Sequence, residues 1–114
     1  MHINEFLQKY RKVNDYGMNM IRPRVKCADG FTVSVQAGYG LYSEPRSDSD
    51  WYSRVELGYP SACDDELLGY AEEPNCPTET IYGFVPISVV DEVLKKHGGI
   101  VGADLSNCGA GEWQ

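Results

Sequence analysis

The sequence lacks any hydrophobic run long enough to cross a membrane. Gly, Pro or a charged residue interrupts each apolar stretch well short of the ~20 residues that a spanning helix needs. The first ten residues also contain neither a long apolar segment nor a small-residue cleavage site, so they do not form a secretory signal. We therefore expect a cytoplasmic protein with no membrane partner. In that compartment cysteines are expected to be reduced thiols, and the chain has four: Cys27, Cys63, Cys76 and Cys108.

The common signatures of metal, phosphate and nucleophilic sites are also missing. Successive cysteines lie 36, 13 and 32 positions apart, so no Cys-x-x-Cys pair indicates zinc. Gly38 and Gly40 begin a Gly-x-Gly pattern that lacks the third glycine and the following helix of a phosphate-binding loop. Of the two histidines, His2 lies near the N-terminus, and His97 is explained as a cation at the C-terminal end of a helix. The sequence therefore predicts no catalytic residue, no metal and no cofactor, and a protein that is not an enzyme.

Basic residues are in the minority. The 114 residues include 17 acidic and 10 basic side chains, for a formal net charge of −7. Proteins that bind the phosphate backbone need clustered Lys and Arg, so this balance argues against direct nucleic-acid binding and favours a basic partner. The chain is 42% hydrophobic and 11% aromatic, which is enough apolar material for a folded core.

The apolar periodicity predicts an α+β fold. It indicates helices or strands, in chain order, at 4–13 (helix), 21–27 (strand), 31–37 (strand), 51–59 (strand), 64–71 (short helix), 80–85 (strand) and 88–97 (helix). The second and third segments form a hairpin around Gly30. Asn4 is the predicted N-cap of the first helix, and Ser88 with Asp91 three residues later has the spacing of a capping box at the start of the last helix. We expect a mainly antiparallel sheet of about four strands, with two main helices and one short helix mostly on one face. Residues 1–100 are the predicted single domain, and 101–114 a C-terminal extension.

Charge is segregated along the chain. Residues 1–26 contain six bases and two acids, whereas residues 44–79 contain ten acids and two arginines. Acidic segments that alternate with aromatic residues combine long-range attraction for a basic surface with large side chains for the contact itself. The two segments 44–50 and 64–79 therefore predict a binding face. Its predicted partner-binding residues are Glu44, Asp48, Asp50, Tyr52, Asp64, Asp65, Glu66, Glu72 and Glu73.

Several segments resemble small accessory proteins encoded by bacteriophages and prophages. The resemblance rests on INEFLQKY at 3–10, CADGFTVSVQA at 27–37, VELGYPS at 55–61, TIYGFVP at 80–86 and KHGGI at 96–100. It implies an inhibitor of a host defence system, of the anti-CRISPR type, that occupies the nucleic-acid-binding surface of a host complex such as a CRISPR effector. It carries no catalytic signature and leaves the target open.

Three other interpretations stay open at this point. The aromatic residues could all fill the sheet core while the acids only keep the protein soluble. The chain could instead be a small enzyme, or a metal- or thiol-dependent protein, that uses Cys27, Cys63, Cys76 or His97. It could also be a homodimeric accessory or regulatory module in which the basic segment of one copy meets the acidic segment of another.

Overall fold

The computed structural model describes residues 1–105, which form two helices, one 3-10 turn and five strands. In chain order these are α1 (Ile3–Lys9), β1 (Arg24–Cys27), β2 (Thr32–Gln36), β3 (Arg54–Gly58), the 3-10 turn (Leu68–Tyr70), β4 (Ile81–Pro86), α2 (Ile87–Lys96) and β5 (Ile100–Asp104). The predicted α+β class is confirmed. The sheet has five strands rather than about four.

The sheet is antiparallel throughout, with the strand order β4-β3-β2-β1-β5. β1 and β2 form the predicted hairpin, and Gly30 in its turn has a φ of 95°, which glycine adopts without steric cost. At the β4 edge the chain folds back beside the strand, and the Glu72 amide donates to the Ile81 carbonyl at 3.0 Å. The acidic segment that precedes β4 is therefore joined directly to the sheet.

The fifth strand lies where the sequence predicts the start of an extension. β5 pairs with β1, with Arg24 opposite Asp104 and Cys27 opposite Ile100. Gly98 and Gly99 both have positive φ and reverse the chain between α2 and this strand. The segment has no clear alternation of its own, so only its pairing with β1 identifies it as a strand. The remainder of the predicted extension, 106–114, lies outside the described residues, as do Cys108 and Trp113.

The first helix is shorter than predicted and begins differently. It ends at Lys9 instead of residue 13, and Val13, which the periodicity assigned to the core, is exposed. The N-cap is His2, whose backbone N–H donates to the Glu5 carboxylate at 3.3 Å. Asn4, the predicted cap, is buried instead. Its amide donates to the Tyr52 carbonyl at 3.0 Å and accepts from the Tyr52 N–H at 2.9 Å, which ties the helix to the segment before β3.

The capping box predicted for the last helix is absent. α2 begins after Pro86, with no side-chain cap on its first turn. Asp91 instead accepts a hydrogen bond from the Ile3 N–H at 2.9 Å, so it links the two helices. The helical spacing of the apolar residues places Val89, Val90, Val93 and Leu94 on one face of α2. Val90, Val93 and Leu94 are buried, and Val89 is partly buried against the core.

The core lies between the helices and one face of the sheet. Its buried apolar residues are Ile3, Phe6, Leu7, Val25, Cys27, Phe31, Val33, Val35, Ala37, Tyr52, Val55, Leu57, Leu67, Tyr82, Val85, Val90, Val93 and Leu94. In β1, β2 and β3, residues at every second position belong to this cluster, as the period of a β-strand requires. In β4 the buried Tyr82 and Val85 are three positions apart, where the register with β3 shifts. The intervening positions, such as Lys26, Ser34 and Glu56, are exposed or half-buried polar side chains.

Arg22 is the largest fully buried side chain, with 1% of its surface exposed. Its Nε donates to the Leu7 carbonyl at 2.9 Å and its Nη1 to the Ala37 carbonyl at 2.8 Å. Its own backbone N–H and C=O pair with the side-chain amide of Gln36, each at 2.9 Å. Burial lowers the pKa of Arg22 from its ordinary value. The guanidinium thus joins the end of α1 to the end of β2.

Replacing the buried side-chain amide of Asn4 in α1 should destabilise the protein strongly. In Asn4→Ala the N–H and C=O of Tyr52 lose their partners, so we expect the free energy of unfolding to fall by about 2–4 kcal/mol. Chemical denaturation followed by circular dichroism measures this change. Asn75→Ala, at an exposed position, is the control and should stay within about 0.5 kcal/mol of the wild type. Equal midpoints for the two variants would contradict the assigned role of Asn4.

Candidate functional site

Residues 64–79, the acidic loop, connect β3 to β4 in an ordered conformation. The predicted short helix over 64–71 is reduced to a tight turn and the 3-10 turn, with Leu67 N–H donating to the Asp64 carbonyl and Tyr70 N–H to the Leu67 carbonyl. Further along, the Glu73 N–H donates to Thr80 Oγ1 at 3.0 Å. Backbone contacts therefore position the loop at both ends.

The acidic side chains of this loop fall into two kinds. Asp65, Glu66, Glu72 and Glu73, all predicted to bind a partner, are exposed. Asp64, predicted to do the same, has only 3% of its side chain exposed. Its carboxylate points inward, so Asp64 positions the loop and offers no contact to a partner in this conformation.

Asp64 is held by Lys96, the last residue of α2, and by His97, which follows it. Its Oδ2 lies 2.8 Å from Lys96 Nζ and 3.5 Å from His97 Nε2, and its Oδ1 accepts from the Glu66 N–H at 3.0 Å. Burial by itself would raise the pKa of the Asp64 carboxyl. Lys96, the Glu66 amide and His97 outweigh burial and hold that pKa below its usual value.

His97 continues this set of contacts to the hairpin turn. Its Nδ1 donates to Asp29 Oδ2 at 2.7 Å, and its ring stacks on Phe31 with a centroid distance of 3.9 Å and an interplanar angle of 5°. The Phe31 amide and His97 both lower the pKa of Asp29. We call this set of side chains the anchor cluster: Asp29, Asp64, Glu66, Lys96 and His97. It connects α2, the β1–β2 turn and the acidic loop.

The acidic residues of 44–50 interact largely with the protein itself. Arg11 binds Asp48 through two nitrogens, with Nε 2.8 Å from Oδ1, and its Nη1 lies 2.8 Å from Asp50 Oδ1. Asn19 also donates to Asp48, at 2.8 Å. Arg11 is the main cause of the lowered pKa of Asp48. Opposite charges of the basic and acidic segments thus meet here within one molecule.

The two predicted segments join the sheet at opposite ends of β3. Glu44 pairs with Arg54 at the start of β3. The acidic loop joins the sheet beside Ile81, which lies opposite Gly58 at the other end of that strand. A five-residue strand separates its ends by about 13 Å. The predicted residues therefore occupy two separate positions along β3.

Tyr52, the one aromatic residue among the predicted partner-binding residues, lies in the core. It is fully buried, and its hydroxyl donates to the Ser47 carbonyl at 3.1 Å and accepts from the Ser49 N–H at 3.0 Å. The neighbouring Trp51 is 56% exposed instead. The regular strand begins only at Arg54, so the period-two alternation that predicts a strand over 51–59 does not apply to these two residues.

An exposed aromatic group was not foreseen from the sequence. Tyr42 and Phe84 pack with ring centroids 5.6 Å apart, and the Arg46 guanidinium lies 5.4 Å from the Tyr42 ring and 6.0 Å from the Phe84 ring. Phe84 has a φ of 52°, which is unusual for a bulky residue. The neighbouring Gly83 lies against Tyr42, since a Cβ placed on it would be 3.4 Å from Tyr42 Cβ. Elsewhere, Tyr16 in the loop after α1 is 88% exposed.

The titratable groups of residues 1–105 offer little reactive chemistry. No group of three His, Cys, Asp or Glu side chains in this part of the chain is placed to bind a metal ion. Burial, with a contribution from Asp29, raises the pKa of Cys27 to about 11, so this thiol is protonated at neutral pH. Both nitrogens of His97 face carboxylates. Cys63 and Cys76 are exposed free thiols.

Within the same residues, neither helix is both long and apolar enough to cross a membrane.

Comparison with protein-family models, with curated proteins and with solved structures gives no match for this chain.

Removing the charge of Asp64 should weaken the fold in a pH-dependent way. Because its pKa is lowered in the folded state, its contribution is present above the ordinary carboxyl pKa of about 4 and disappears as the pH falls below it. We expect Asp64→Asn to reduce the free energy of unfolding at pH 7 by about 1–3 kcal/mol and to flatten its decline below pH 4.

Denaturant unfolding from pH 2 to 7 tests this expectation. Asp65→Asn, which changes an exposed neighbour, is the matched control and should follow the wild-type curve. If the free energy of unfolding of Asp64→Asn declined below pH 4 as steeply as that of the wild type, the anchor cluster would not stabilise the fold through this carboxylate.

Proposed function

We propose that this chain is a binding protein, without enzymatic turnover, whose acidic loop occupies a basic nucleic-acid-binding surface on a host protein complex. The observation that carries the proposal is the loop itself. Four exposed carboxylates, Asp65, Glu66, Glu72 and Glu73, stand on a backbone that is joined to the sheet and to α2.

An ordered acidic surface suits this role for two physical reasons. Carboxylates attract a basic groove over long range and raise the rate of association, which the net charge of −7 reinforces. A loop that is already ordered loses less conformational entropy on binding than a flexible segment does. The anchor cluster supplies that order from beneath the loop.

The kind of partner follows from the resemblance to phage accessory proteins. It suggests an inhibitor of host defence of the anti-CRISPR type, acting on a nucleic-acid-handling complex. Such a complex binds phosphates through Lys and Arg, and carboxylates presented by the acidic loop compete for the same side chains. Direct binding of nucleic acid by this acidic chain is not proposed.

The homodimeric accessory or regulatory module is the weaker alternative. It needs the basic segment of one copy to meet the acidic segment of another, yet Arg11 already binds Asp48 and Asp50 of its own chain. Fewer opposite charges are therefore left for an intermolecular contact.

A phage plating assay tests the proposal. The protein is expressed in a panel of bacterial strains, each with one defined and active defence system, and in isogenic strains from which that system is deleted. We expect phage plating to rise in at least one strain of the panel and to stay unchanged in its deleted counterpart. No change in any strain would overturn the anti-defence proposal.

Charge reversal on the acidic loop should slow binding to the complex from the responsive strain. We expect Glu73→Lys to reduce the association rate at low salt several-fold, because it replaces an exposed attractive charge with a repulsive one. The difference should shrink as salt screens the charges. Surface plasmon resonance with the purified complex measures both effects.

The matched control is Asp15→Lys, which makes the same change in net charge at an exposed site in the loop after α1. It should slow association much less. Equal effects of the two variants would mean that overall charge, and not the acidic loop, governs binding.

A further inference from the structure

We propose that His97 is a protonation-dependent latch that fastens the acidic loop to the β1–β2 turn. The imidazole lies between two carboxylates from separate parts of the chain. Nδ1 is 2.7 Å from Asp29 Oδ2 and Nε2 is 3.5 Å from Asp64 Oδ2. Stacking on Phe31 fixes the ring plane between them. No other side chain bridges the turn and the loop in this way among residues 1–105.

The two ring nitrogens have different roles. A carboxylate can only accept, so the short contact to Asp29 places a hydrogen on Nδ1. Nε2 is buried and has no hydrogen-bond partner within normal geometry. In neutral imidazole this nitrogen directs a lone pair toward Asp64, which is repulsive. In imidazolium it carries a hydrogen that points to the same carboxylate, and both carboxylates are then bound.

The charged groups that face the ring are carboxylates. The β1–β2 turn contributes Asp29, the acidic loop contributes Asp64, and Glu66 lies 3.7 Å from Lys96, the one neighbouring cation of the anchor cluster. Phe31, which precedes β2, contributes only its uncharged ring. Two carboxylates, Asp29 and Asp64, face the ring against the one ammonium of Lys96, and a proton on His97 reduces this excess of negative charge.

The latch predicts that the acidic loop becomes more mobile as the pH rises through the neutral range, in which histidine changes its charge. Lys96 still binds Asp64 after His97 loses its proton, so the loop loosens locally while the fold persists. The amides of Glu66 and Leu67, which donate to the side chain and the carbonyl of Asp64, report on this opening.

Hydrogen exchange on the full chain at pH 6 and pH 8 measures the effect, after correction for the intrinsic pH dependence of exchange. We expect protection at Glu66 and Leu67 to fall about tenfold between the two values, the factor for loss of one charge-assisted hydrogen bond. In His97→Gln, which stays neutral, protection should be low at both pH values. His2→Gln removes the other histidine and should keep the wild-type response.

Two results would overturn the latch: pH-independent protection in the wild type, or the same pH response in His97→Gln. If His97→Gln does not fold, the ¹⁵N shifts of the wild-type imidazole decide, because protonation at Nε2 must coincide with the change in protection. Only the consequence for binding rests on the proposed function. Exchange needs no partner, so failure of the plating assay and failure of the latch are separate results.

Discussion

The fold depends on a buried charge. Arg22 lies beneath α1 and donates to one carbonyl of the helix and one at the end of β2. A seven-residue helix is too short to be stable by itself, so it persists only through its apolar contacts and polar ties of this kind. Since an unsatisfied buried guanidinium is costly, both carbonyls must stay in place. Together with Asn4, this constraint fixes α1 on the sheet and brings the segment before β3 against it.

A second set of polar contacts lies at the C-terminal end of α2. There Lys96 and His97 join the helix to the hairpin turn and to the acidic loop. Leu67 is the one fully buried apolar side chain of the loop, and Tyr70 and Ala71 pack partly buried against the core. The charged contacts add to these apolar contacts in placing the loop. For a binding surface, that placement determines how much conformational entropy is lost on docking.

Neighbouring acids in this protein have opposite roles, and composition cannot separate them. Asp64 is buried against Lys96 and His97, while Asp65 faces solvent. Asp48 is bound by Arg11 and Asn19, whereas Glu72 and Glu73 are exposed. The sequence correctly marked 64–79 as rich in carboxylates. Asp64 faces inward because Lys96 and His97 lie beside it. These two residues come about 30 positions later in the sequence, so only the folded chain brings them together.

The sequence by itself determined the α+β class, the β1–β2 hairpin and the apolar face of α2, because alternation and helical spacing are local patterns that one buried face imposes. It did not determine β5, the buried site of Tyr52 or the anchor cluster. Ile100–Asp104 is a strand only because β1 offers it a partner. Asp29 and His97 are 68 positions apart and meet only in the folded chain. Contacts of this kind leave no periodic trace, so tertiary structure alone decided them.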